Sequence, residues 1–227
     1  MRRFLAVLVA LCITVPAVAL AATDTDPKKR LTAADQAKAR SIVLKRTDFA
    51  AGWKKVPPEP ESGADDTCPG YNPNYSDLTL TGEAESNFEH TQGLPLISSF
   101  AEIYVTKADA EKSWARGAKP AVARCLAHFL RQGAEEDGGK LTVVSQGRIA
   151  FPKVAPRTIA FRVVARMTVP REGQTPVTVP LTVHLIGVGH GRGDVTIFTT
   201  GLGTGVQMAD LRAFAALSAM RLAAAKL

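Results

Sequence analysis

Three side chains able to hold an anion fall on two stretches of alternating sequence. Ile159, Phe161, Val163, Ala165, Met167 and Val169 alternate with Ala160, Arg162, Val164, Arg166 and Thr168. Val177, Val179, Leu181, Val183 and Leu185 repeat the pattern opposite Thr178, Thr182 and His184. A strand sends successive side chains to opposite faces. Arg162, Arg166 and His184 are therefore expected together, on the side away from the aliphatic stripe, as a cationic wall suited to an anionic group or partner. The plainer reading is a solvated surface, since antiparallel sheets commonly turn one face to water. In an earlier strand Phe100, Glu102 and Tyr104 share a face opposite Ala101, Ile103 and Val105. Glu102 and Tyr104 complete the candidate ligand-binding set.

Catalytic constellations are sparse. Glu83, Glu85, Glu89 and Glu102 could supply the paired carboxylates that glycoside hydrolysis needs, although glutamates scattered over strands are more often solvated. His90, His128, His184 and His190 have no metal-ligand spacing to one another or to Cys or carboxylates. No serine sits in a G-x-S-x-G elbow. Gly201-Leu202-Gly203-Thr204-Gly205 offers amides that could cradle a phosphate. Val206 stands where a dinucleotide fingerprint needs glycine, and no Lys-Ser/Thr follows, so a connector is expected. Arg192-Gly193-Asp194 spells an adhesion tripeptide but, among glycines, reads first as a hairpin turn. Asn74-Tyr75-Ser76 is formally a glycosylation acceptor. No cofactor or metal is expected.

The N-terminus sets the compartment. Met1-Arg2-Arg3 precedes an apolar stretch from Phe4 to Val15, then Pro16 and the small-residue ending Ala19-Leu20-Ala21. That is the layout of a secretory signal peptide over residues 1–21, with a retained membrane anchor as the rival reading. Cleavage leaves 206 of the 227 residues and removes two of the charges that make the chain +7. The remaining positive charge suits anionic wall polymers, but it lacks the aromatic-interleaved basic stripe of a nucleic-acid binder. Cys12 departs with the leader, so Cys68 and Cys125 are left as a pair in an oxidising compartment. Chain-entropy arithmetic on the loop they close gives about 4 kcal/mol of stabilisation.

Residues 22–30 read as a flexible tether, and residues 31–227 as one α+β domain. Thr32 with Asp35 has a capping-box pattern. Residues 57–73 form a Pro- and Gly-rich loop, and Leu78–Thr81, Ser86–His90 and Leu96–Val105 read as strands. Helices are expected over Lys107–Ala118 and from Pro120 through Gln132. In the second of these Val122, Cys125, Leu126, Phe129 and Leu130 form an apolar stripe. Further strands and a last helix carrying Met208, Leu211, Phe214 and Leu217 follow. The sum is a twisted, mainly antiparallel sheet of about six to seven strands flanked by helices, with one disulfide.

The opening Leu44-Lys-Arg-Thr-Asp48-Phe-Ala-Ala-Gly52-Trp53, the loop cysteine Cys68, Tyr104-Val-Thr-Lys-Ala108-Asp109-Ala110 and Arg124-Cys125-Leu126 together resemble actinobacterial extracytoplasmic sensor-type domains. These are the sensor domains of receptor kinases and related secreted lipoproteins. The resemblance implies a PsbP-like sandwich, with a twisted antiparallel sheet and helices around a cleft. The expected function is that of a secreted, non-enzymatic binding domain at the bacterial cell envelope. Its partner would be a small molecule, a wall polymer or an envelope protein, with no nucleic acid, and membrane contact only through an uncleaved leader. The alternative is a secreted hydrolase that uses carboxylates on envelope polymers.

Overall fold

The computed structural model describes residues 25–58, 68–171 and 173–227. The expected leader, residues 1–21, lies outside these. Eight strands form one open sheet: β1 Lys28–Lys29, β2 Trp53–Val56, β3 Thr79–His90, β4 Gly93–Tyr104, β5 Lys140–Arg148, β6 Arg157–Arg171, β7 Gln174–His190 and β8 Gly193–Leu202. Their spatial order is β1-β3-β4-β8-β7-β6-β5, with β2 also pairing β3. All pairings are antiparallel except β1 with β3. Four helices accompany the sheet: α1 Ala33–Ile42, α2 Lys107–Gly117, α3 Ala121–Glu136 and α4 Met208–Ala224.

The helices start where side chains satisfy orphan amides. Thr32 Oγ1 accepts from the Asp35 amide at 3.2 Å, and Thr106 Oγ1 from the Asp109 amide at 3.0 Å. The Asp35 carboxylate does not close a capping box. It pairs instead with Arg192 at 2.7 and 2.8 Å, tying α1 to the β7–β8 turn. Helix α3 runs past the expected end at Gln132, through Gly133 to Glu136. Burial of Ala134 holds that last turn, and Gly138, at φ +73°, supplies the left-handed residue that stops it.

Both faces of the sheet are packed. On one, Ile97, Ala101, Val195, Ile197, Ile186 and Val188 meet Ala39 and Ile42 of α1 and Leu211, Phe214, Ala215 and Leu222 of α4. On the other, Val163, Ala165, Leu181 and Val183 meet Leu126, Ala127, Leu130 and Ala134 of α3. Helix α2 lies on this second face through Trp114, which packs with Ile159, Phe161 and Ala123. Two expectations change. Apart from Leu78, the stretches 78–81 and 86–90 belong to one continuous strand, β3. The tether's last residues are not free: the Lys28 and Arg30 amides donate to Leu78 and Leu80 carbonyls at 2.9 and 2.8 Å. β1 takes the outer edge of β3 beside its first residues, as β2 does beside its last, and a strand exposed on both faces needs no apolar alternation to pair there.

Cys68 and Cys125 are bridged, with Cα atoms 5.4 Å apart, which fixes the start of the loop before β3 to α3. Among the described residues no helix is long and apolar enough to cross a membrane.

Candidate functional site

The five expected ligand residues divide between the two faces. The register pairs Arg162 with His184 and Arg166 with Pro180 across β6 and β7, so these side chains do share a face. That face is the one α1 and α4 cover. His184 is buried, at 3% exposure, and its Nδ1 has no hydrogen-bond partner. Burial, and then the charge of Arg162, pull its pKa down to about 4, so the ring is neutral at physiological pH. Arg162 and Arg166 are exposed. The expected three-residue cationic wall therefore loses its histidine to the core and keeps two solvated arginines. The parity was right and the accessibility of His184 was not.

Glu102 and Tyr104 lie on the opposite face and form part of a cavity of about 210 Å³ between α2 and the sheet. Glu102, Asp194, Thr196 and Gly187 form its floor, and Trp114 and Tyr75 its cover. Each position has a structural cause. Glu102 pairs directly with Asp194 across β4 and β8, so both carboxylates leave the same face side by side. Gly187 lies opposite Thr196 across β7 and β8 on that face, and its lack of a side chain admits Trp114. A Cβ there would meet the indole Cη2 and Cζ3 at 3.1 Å. Tyr75 stands on the loop that the disulfide anchors. Tyr71 of the same loop donates to the Arg116 carbonyl at the end of α2 (2.8 Å), and Arg116 grips Asp77 at 2.6 and 3.0 Å.

The polar floor is wired asymmetrically. Tyr104 Oη donates to Glu102 Oε2 at 2.8 Å, and Ser113 Oγ of α2 lies 2.7 Å from the same phenol oxygen. Asp194 Oδ1 takes both Nε and Nη2 of Arg157, at 3.2 and 2.9 Å. The Arg157 guanidinium also lies 5.9 Å from the centre of the Trp114 ring, a cation–π distance. Burial pushes the Asp194 carboxyl up to about 7, although Arg157 pulls the other way. Glu102 is likewise raised, by burial first and then by Glu83, against the Tyr104 hydrogen bond. Tyr104 is raised by burial and by Glu102. Two acids with elevated pKa values beneath aromatic walls are a common mark of a functional site.

The remaining motifs resolve into structure. Glu83 pairs with Lys29 at 3.0 Å, Glu89 with Lys54 at 3.5 Å, and Glu85 accepts from Asn87 at 2.7 Å; Glu102 alone of the four lines the cavity. The adhesion tripeptide is spent on the fold, with Arg192 bound to Asp35 and Asp194 to Arg157. Asn74 Oδ1 accepts from the Ser76 amide at 2.8 Å, a turn that presents Tyr75. The glycine-rich connector is tied to β7, where Thr182 Oγ1 donates to the Gly203 carbonyl at 2.7 Å. Among the described residues no three His, Cys, Asp or Glu side chains gather as a metal site.

Sequence reasoning missed Asp194, Trp114, Tyr75 and Arg157 as members of a site. Asp194 becomes legible only once β4 is known to pair β8, a contact spanning 92 residues of chain. Trp114 had a signal in hindsight, as a large aromatic on a helix of otherwise polar composition. No protein-family model matches the chain, and no curated protein matches it.

Proposed function

We propose that this chain is an exported, non-enzymatic ligand-binding domain of the cell envelope, and that its site is the cavity between α2 and the sheet. One observation carries the reading. An acid, Glu102, meets Thr196 and three aromatic side chains in an otherwise well-packed face, the mixture of apolar walls and few convergent polar groups typical of small-molecule sites. Its volume falls below the roughly 300–1,000 Å³ of drug-sized pockets, so the ligand is a single ring or a short chain. Export rests on the N-terminal leader pattern and agrees with a disulfide in a chain of this cysteine content.

Trp114 supplies the test, because the chain has only two tryptophans. Trp53 packs on Phe49 and His90, away from the cavity. In a Trp53→Phe variant, ligands that raise the melting temperature should shift the Trp114 emission, and Thr196→Phe in the floor should block both effects. Ligands that stabilise the protein equally well in Thr196→Phe, without touching Trp114 emission, place the site elsewhere.

A second reading, the carboxylate-dependent hydrolase, has one observation in its favour. Directly opposed cross-strand residues hold their Cβ atoms roughly 4.5–5.5 Å apart, compatible with the roughly 5–5.5 Å carboxyl spacing of retaining glycosidases. Turnover of wall glycans that vanishes in Glu102→Gln, with folding intact, would favour it.

A further inference from the structure

Resting on the cavity as the binding site, we infer that its ligand is a small organic cation, an ammonium group seated on Glu102 with an apolar body against Trp114 and Tyr75. The charges around the cavity point there. Three cations around the cavity are already committed. Arg157 is bound to Asp194, Lys29 to Glu83, and Arg116 to Asp77, above the Tyr75 ring at 5.7 Å from its centre. Asp194 and Glu83 are thus each offset by a partner. Among the described residues, Glu102 has no cation within ion-pair distance, and its one hydrogen bond comes from Tyr104 to Oε2.

A carboxylate inside a protein without a counter-ion is held at a cost in free energy, and that cost is relieved by a cation entering from outside. Neutral ligands relieve less of it, and anions add to it. The walls fit the same guest, since the Trp114 and Tyr75 rings, each already beside an arginine, give its apolar body a surface to pack against. The limited volume then selects a monoamine with one ring over a polymer segment. The cavity, rather than the neighbouring acids by themselves, makes this a site: it gives the cation's apolar body a place to be buried. Competition from protons follows, because Glu102 must be ionised to hold the ligand.

Three probes of one shape separate the possibilities: phenethylammonium, 2-phenylethanol and phenylacetate, titrated into the Trp53→Phe protein at neutral pH while Trp114 emission is followed. The inference expects phenethylammonium to bind at least about tenfold more tightly than the alcohol, the scale of a charge-assisted hydrogen bond, and phenylacetate not to bind. In Glu102→Gln that preference should disappear. The comparison in the unaltered cavity stands whatever the folding of Glu102→Gln. Equal or tighter binding of 2-phenylethanol or phenylacetate, with a Trp114 response, overturns the cation and leaves the cavity as the site. If phenethylammonium raises the melting temperature with no Trp114 response, and does so equally in Thr196→Phe, the inference and the site both fall.

Discussion

Asp194 offers the sharpest stability prediction. The residue is 9% exposed, and the pKa of its carboxyl rises from 3.8 to about 7 on folding. A folded-state pKa above the unfolded one means the native protein holds the proton more tightly. The stabilisation is therefore present at low pH and is lost as the pH climbs through the folded pKa. Integrated between about pH 5 and pH 8, a shift of that size removes roughly 3 kcal/mol of stability. Asp194→Asn cannot titrate, and its amide oxygen still accepts from Arg157. The guanidinium's lost counter-ion costs about the same at both pH values and cancels in the comparison. His184 works in the opposite sense. Its pKa falls from 6.5 to about 4, so the folded state refuses a proton, and stability rises with pH over that interval by roughly 2 kcal/mol above about pH 5. The wild-type profile should accordingly look muted, two slopes partly cancelling. Urea unfolding of both proteins at about pH 5 and pH 8 should show Asp194→Asn gaining on the wild type by roughly 3 kcal/mol across that range. Parallel profiles for the two proteins would refute the assignment of an uncomfortable buried acid at this position.

The other expectations are simpler. Removing the opposing slope with His184→Gln should steepen the wild type's loss of stability above about pH 5, by roughly 2 kcal/mol, in the same urea assay. Cys68→Ser/Cys125→Ser, or reduction, should cost about 4 kcal/mol, or roughly 8–16 °C in a calorimetric scan for a domain of this size. It should also loosen the Tyr75 wall, seen as faster hydrogen exchange at the amides of residues 71–78. Asp35→Ala removes the counter-ion of Arg192 where α1 meets the sheet, leaving its hydrogen bonds to Thr81 and Tyr104, and should cost roughly 2–3 kcal/mol in equilibrium unfolding; a change within about 0.5 kcal/mol, the range of a surface substitution, contradicts that role.

Much of the scaffold could be read from residue order because its signals are local. The alternation in 159–169 and 177–185 marks β6 and β7, and the stripe through Cys125 and Leu126 marks the buried side of α3. Threonine before an acid marks the start of α1. What stayed hidden depends on distant partners. Alternation says that Arg162 and His184 share a face, but not which face α4 will cover. Here α4 crosses β7 and β8, burying His184, and leaves Arg162 in solvent on β6. The sheet is packed on both sides, so apolar content could not rank one face above the other. Glu102 was singled out for its type and position. Its neighbour Asp194 belonged to a turn motif, and only the β4–β8 register joins them.

The most direct test of the cavity as the binding site is a crystal structure of the protein soaked with a mixed set of one-ring amines, alcohols and acids. The account predicts density for a bound molecule between Trp114 and the Glu102–Thr196 floor, with the amines favoured there. An empty cavity, with molecules ordered on the exposed Arg162 and Arg166 face instead, would contradict it.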